Sequence, residues 1–77
     1  MKTKPLPLPF GQRLAALRTQ RGLTQQQLAD AAGLHLVSIS RLETGKRGTA
    51  LRAETLRRLA AALAVRLDEL MEPQERN

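Results

Sequence analysis

Cysteine, tryptophan and tyrosine are absent from this chain, and phenylalanine and histidine occur once each, as Phe10 and His35. Without thiols there is no disulfide framework, no thiolate metal ligand and no thiol nucleophile, a composition that suits a reducing compartment. One histidine cannot assemble a zinc site, so no metal and no cofactor are expected. No apolar run approaches the roughly 20 residues that cross a bilayer. Lys2 and Lys4 begin the chain as they would a secretory leader, but leucine alternating with proline follows where an apolar helix is required. A soluble, cytoplasmic protein is expected. Catalysis needs acid, base or nucleophilic groups converging on a pocket, and the carboxylates here are scattered over helix surfaces and the tail, so no enzyme is expected.

What is present is basic charge, unevenly placed. The 77 residues carry a formal net charge of +6. Up to Arg52 only Asp30 and Glu43 oppose the lysines and arginines, whereas beyond Arg52 the two signs nearly balance. That asymmetry suggests one face for a polyanion and another face for something else. Many small proteins are basic, and charge alone does not decide the matter. A chain this short buries only about 60% of the surface it exposes when unfolded, so dimerisation would help its stability.

Pro5, Pro7 and Pro9 stand at every second position, which denies residues 1–9 the backbone donors of a helix and makes them an extended arm. From Phe10 the apolar residues return at helical spacing. Phe10, Leu14 and Leu17 form the stripe of a first helix that ends at Gly22. Thr24 and Gln27 make a capping box and Leu23 with Leu28 a hydrophobic staple, so a second helix starts at Thr24. It continues through Ala29 and Ala32 to Gly33, a residue suited to a positive φ. Ala29 and Gly33 are small where two helices are expected to come closest. A third helix spans about His35 to Thr44, buries Ile39 and Leu42, and stops at Glu43-Thr44-Gly45. Two helices joined by so short a Gly-containing turn cross at roughly 90 to 120°, the helix-turn-helix corner.

Lys46 to Leu51 reads as a polar loop. A fourth helix from about Arg52 lines up Leu56, Leu59, Ala60 and Leu63, and a fifth from about Leu67 brings Leu67, Leu70 and Met71 together. Pro73 closes the fold. The expected organisation is an arm over 1–9, one all-α five-helix domain over 10–72 and a polar tail over 73–77.

The series Arg18-Thr19-Gln20-Arg21-Gly22-Leu23-Thr24-Gln25-Gln26-Gln27-Leu28-Ala29, then Gly33-Leu34, then Ser38-Ile39-Ser40-Arg41-Leu42-Glu43-Thr44-Gly45-Lys46-Arg47 resembles the phage repressor/Cro family, which includes the xenobiotic-response-element-type bacterial regulators. Leu59-Ala60 through Leu63 and Leu67-Asp68-Glu69-Leu70 resemble its fourth and fifth helices. The resemblance covers roughly Phe10 to Met71. It implies a lambda-repressor-like domain that binds double-stranded DNA and regulates transcription.

With Ile39 and Leu42 buried, a 100° step per residue puts Val37, Ser40, Arg41 and Thr44 on the opposite face of the third helix, with Leu36 at its edge. These are the candidate base readers. The resemblance implies that the early residues of this helix lie deepest in the major groove, which adds weight to Leu36 and Val37. An arginine such as Arg41 fits guanine O6 and N7, and apolar side chains fit the thymine methyl; for Leu36 and Val37 ordinary packing or a dimer contact is the competing reading. Gln25, just inside the amino end of the second helix, has an outward backbone N–H where phosphate is attracted, and the resemblance implies that a glutamine there holds the DNA backbone. Gln26, Ser38, Lys46, Arg47 and Arg52 are further phosphate candidates. Arg18 follows Leu14 by one turn and Glu43 adjoins Leu42; the resemblance implies that they form a structural ion pair supporting the third helix.

Two residues depart from the family pattern. His35 stands where serine or threonine usually caps the third helix, and Ala64 stands where glycine usually separates the fourth and fifth. The expected partners are a (pseudo)palindromic operator with half-sites roughly 34 Å apart and a second copy of the chain, joined through the fifth helix and the end of the fourth. Contact with polymerase or a toxin is the further partner considered. The competing function is an antitoxin or adaptor that binds a protein and uses DNA only for autoregulation; the arm's Leu6 and Leu8 are its one sequence hint. A membrane-surface role lacks a long helix with apolar residues opposite the charges.

Overall fold

The computed structural model describes residues 9–45 and 52–71 and contains five α-helices among them, with no strand. They are α1 (Phe10–Gln20), α2 (Gln25–Ala32), α3 (Leu36–Thr44), α4 (Ala53–Leu63) and α5 (Leu67–Met71). The all-α five-helix expectation holds. The arm up to residue 8, the loop 46–51 and the tail from 72 lie outside the described residues.

Helix α2 begins as its sequence dictates. The Gln27 backbone N–H donates to the Thr24 hydroxyl at 3.0 Å, and the Thr24 N–H donates to the Gln27 side-chain oxygen at 2.8 Å, so two of the donors that a helix start leaves unpaired are satisfied reciprocally. Gly33 ends the helix at φ 71°, ψ 33°. An added Cβ there would meet only the Arg58 guanidinium, at 3.5 Å. Gly33 is thus needed for its backbone angle, and the expected close approach falls on fully buried Ala29 alone. Helix α3 stops before Gly45, but Gly45 is extended at φ −60°, so the stop does not use glycine's left-handed freedom.

The core is built from Leu14, Leu28, Ile39, Leu59, Leu63 and Leu70, all fully buried, with Leu42 and Leu56 nearly so. Burial of each such side chain is worth about 1.5 to 3 kcal/mol. Helix α3 packs on α1 and α2, α4 on α2 and α5, and α5 closes back on α1. On the apolar side of α5 Leu70 is fully buried, while Leu67 and Met71 beside it are 41% and 42% exposed.

A helix of that length has little stability of its own and is held from outside. Arg13 on α1 donates from Nη1 to the carbonyls of Leu70 and Met71, each at 3.0 Å, which satisfies acceptors left open at the end of α5. At the other end the Glu69 carboxylate accepts from the Arg66 N–H at 2.9 Å. The turn before α5 is held by Arg21, whose Nη2 donates to the Ala64 carbonyl at 3.0 Å.

Two close approaches carry testable consequences. Ala64 lies at φ 58°, ψ 42°, the left-handed region where an L side chain is strained. Ala64→Gly should therefore stabilise the fold by about 0.5 to 1 kcal/mol, the relief of strain exceeding glycine's added freedom in the unfolded chain. Thermal melting should show the midpoint rising by about 4 °C. Gly11, near the start of α1, lies against the last turn of α3: an added Cβ would stand 2.5 Å from the carbonyl oxygens of both Leu42 and Glu43. Gly11→Ala forces these backbones apart and should cost about 3 kcal/mol in urea unfolding.

Candidate nucleic-acid interface

Helix α3 buries Ile39 and Leu42 and turns its other side outward. Leu36 and Val37, its first two residues, are 41% and 60% exposed. Arg41 and Thr44 are exposed on the same side, with Ser40 and Ser38 half-buried beside them. The Thr44 hydroxyl donates to the Ser40 carbonyl at 2.9 Å, so it meets a ligand as an acceptor. Arg41 has no hydrogen-bond or ion-pair partner among the described residues, and neither has Arg52. Two apolar side chains and one unengaged guanidinium on one helical face match what a base pair offers in the major groove, a thymine methyl and the paired acceptors of guanine.

The start of α3 is less well made than that of α2. His35 occupies the cap position in extended conformation, but its side chain makes no cap hydrogen bond. His35 therefore supplies no side-chain acceptor to the first amides of α3.

Glu43, at the other end of α3, is the most engaged carboxylate among the described residues. Arg18 Nε donates to its Oε2 at 2.6 Å and Arg18 Nη2 to its Oε1 at 3.1 Å, a two-pronged pair between α1 and α3. The Arg18 and Glu43 side chains are 15% and 5% exposed. The remaining arm of the guanidinium, Nη1, donates to the Leu23 carbonyl at 2.8 Å in the turn before α2. The hydrogen bond to Glu43 raises the guanidinium's proton affinity above its ordinary value; burial opposes the shift and the carboxylate's charge adds to it.

A third donor reaches the same carboxylate. Gln25 Nε2, on the first residue of α2, donates to Glu43 Oε1 at 2.9 Å. The orientation of this amide follows from chemistry, because an amide oxygen would be repelled by the carboxylate. Its neighbour Gln26 is tied along its own helix, Nε2 to Asp30 Oδ1 at 2.9 Å, so a carboxylate stands beside any anion that Gln26 would hold. Lys46 and Arg47, the other phosphate candidates, lie outside the described residues.

Part of the basic excess before Arg52 also has a structural use. Arg13, Arg18 and Arg21 all contribute to the basic excess before Arg52, yet each donates to carbonyl or carboxylate oxygens of the fold. They hold helix ends; Arg18 is paired with a carboxylate, whereas a bond to a neutral carbonyl, as Arg21 makes to Ala64, fixes a guanidinium in place and leaves its charge. Sequence reasoning found the Arg18–Glu43 pair through the resemblance but missed the Arg13 and Arg21 clamps, because no spacing rule pairs residues 43 to 58 positions apart, as Arg21 and Ala64 or Arg13 and Met71 are. It also missed Gly11, for which a glycine inside an otherwise good helix was the available signal.

A short turn through Gly33, packing of α3 against α2 and an outward face on α3 that leaves Leu36, Val37 and Arg41 exposed are the features of the helix-turn-helix class. A helix-turn-helix family model matches residues 14–70, and the chain belongs to that family, in the repressor/Cro type that its sequence resembles. The HTH-type transcriptional regulator RghRB of Bacillus subtilis strain 168 is 49% identical over 63 residues, covering 82% of this chain and 45% of that protein. The HTH-type transcriptional repressor RghR of the same organism is 47% identical over 62 residues, covering 80% of this chain and 45% of that protein. The chain thus spans less than half the length of these two relatives. The crystal structure of the restriction-modification controller protein C.AhdI from Aeromonas hydrophila aligns with a TM-score of 0.70 and 41% identity, covering 79% of this chain and 89% of that one.

The Arg18–Glu43 pair is partly buried. Arg18→Met leaves the Glu43 carboxylate facing a single neutral donor and should cost about 1 to 3 kcal/mol, between an exposed and a fully buried pair. Replacing both partners, as R18M/E43M, should recover most of that loss in urea titration, since no charge is then stranded.

Proposed function

We infer that this chain is a sequence-specific double-stranded DNA-binding regulator of transcription that lays α3 in the major groove. The observation that carries the reading is the outward face of α3, where Leu36, Val37 and the unpartnered Arg41 stand together beside the amino end of α2. In this reading Arg41 reads guanine, Leu36 and Val37 contact thymine methyl groups, and Ser40 and Thr44 supplement them. Gln25, Ser38 and Arg52, with Gln26 subsidiary, hold phosphates, joined by Lys46 and Arg47 of the neighbouring loop.

The chain acts as a homodimer on a (pseudo)palindromic operator, with half-sites roughly 34 Å apart. Leu67 and Met71, exposed on α5 well apart in sequence from the reading residues, supply the dimer surface together with the end of α4. Repression is the favoured outcome, since RghR is named a repressor, and it requires only that the operator overlap a promoter. The work is done where the DNA is, in the cytoplasm at the nucleoid.

Selection of bound duplexes from a random pool, followed by affinity measurements at two salt concentrations, tests this directly. An inverted-repeat winner preferred over scrambled DNA by about 10³ or more is expected. Arg41→Ala should relax preference at one base position by about 1 to 3 kcal/mol, whereas Arg52→Ala should weaken all sequences alike and lower the salt slope by about 1. Weak binding with no consensus would overturn the reading and bring forward a protein partner.

A further inference from the structure

Resting on the DNA-binding reading, we propose that Glu43 is the positioning residue for the phosphate contact of Gln25, so that one carboxylate sets the spacing between backbone grip and base readout. Three observations converge on it. Glu43 sits in the last turn of the reading helix α3, within one turn of Arg41 and next to Thr44. Its Oε1 accepts Gln25 Nε2 at 2.9 Å, from the first residue of α2. Its carboxylate is itself held by Arg18 through two hydrogen bonds at 2.6 and 3.1 Å, which keep it from rotating away.

The consequences follow from the chemistry of an amide. A free glutamine samples several rotamers and two orientations of its terminal group, only one of which offers N–H to a phosphate oxygen. Glu43 selects the nitrogen-forward orientation and takes one of its two N–H bonds. The second N–H, with the backbone N–H groups of Gln25 and Gln26 that have no acceptor within α2, remains for an anion at the positive end of that helix. Arg18 touches no DNA in this arrangement; it holds the residue that holds Gln25. Binding is strengthened by ordering that is already complete before DNA arrives.

The proposal is tested by a double-mutant cycle on binding of a fluorescein-labelled scrambled duplex at low salt, because a phosphate contact is independent of sequence. Gln25→Ala is measured in the natural chain, in R18M/E43M, which removes the anchor, and in R18M/E43Q, which retains an amide oxygen able to accept from Gln25. Both backgrounds leave the net charge unchanged, and circular dichroism melts establish that each is folded. Gln25→Ala should weaken binding about tenfold in the natural chain, about threefold in R18M/E43Q, where the acceptor remains but Arg18 no longer holds it, and less than twofold in R18M/E43M. An equal loss in all three backgrounds, or no loss in the natural chain, overturns the proposal while leaving operator binding intact. Failure of the natural chain to bind any duplex overturns the DNA-binding reading itself. If R18M/E43M does not melt cooperatively, the Gln25 side-chain amide resonances of the natural chain decide: two separated protons, one protected before DNA is added and the other shifting on its addition, support the proposal, and their indifference to DNA overturns it.

Discussion

Helix α3 is held against α1 at two points, and the rest of the fold is arranged around that crossing. At one point Gly11 has no Cβ, so its backbone rests on the carbonyls of Leu42 and Glu43. At the other, Arg18 grips the Glu43 carboxylate. Gly11 and Arg18 are seven residues apart, about 10 Å along a helix, so the last turn of α3 is braced across two turns of α1. A reading helix fixed only by its neighbour in the helix-turn-helix would pivot on the turn at Gly33. Fixed also at its far end by α1, its outward face has one orientation.

The two arginines of α1 and Arg21 at its C-cap extend this logic to the other helix ends. Each donates to oxygen atoms where the partial negative charge of a helix terminus or a carboxylate collects: Arg13 at the end of α5, Arg18 at the end of α3, Arg21 just after α4. Arginine suits the task because its planar fork reaches two acceptors at once, as Arg13 and Arg18 both do. A small domain with no disulfide and few aromatic side chains thereby gains a polar frame around its leucine core. The same use pairs Arg18 with a carboxylate, so that cation counts less toward the basic excess of the first two-thirds of the sequence.

Legibility in the sequence tracked the range of the interaction. The α2 start was readable in full because Thr24 and Gln27 are three residues apart and their chemistry is self-contained. Buried faces were readable where helices are long enough to repeat a period, as in Leu56, Leu59, Ala60 and Leu63; in one-turn α5 the spacing groups Leu67, Leu70 and Met71 without saying which of them the core covers, and only Leu70 is buried. The Arg18–Glu43 pair came from the family resemblance, not from spacing. Its third member, Gln25, did not come at all, since an amide that serves a phosphate and an amide that serves a carboxylate look alike in one dimension. Gly11 and Gly33 show the same limit from the other side: both are glycines near helix ends, one required by a neighbouring backbone and one by its own φ.

The two departures from the family pattern fall on either side of this frame. His35 leaves the α3 start without a side-chain cap, and Ala64 strains the turn into α5, while the braced end of α3 is untouched. Local stability is therefore lowest at α5, a five-residue helix kept in place by Leu70, Arg13 and Glu69. That helix also carries the exposed Leu67 and Met71. A second copy seated on those side chains would bind only the ordered form of α5 and would stabilise it by mass action. In the dimeric reading, the strain at Ala64 then makes dimerisation more dependent on concentration than a glycine would, since part of the association energy goes into ordering α5. The outward face of α3, anchored to α1 through Gly11 and Glu43, does not share that dependence, so in the same reading a single copy would carry that face already formed while its pairing responds to the amount of protein present.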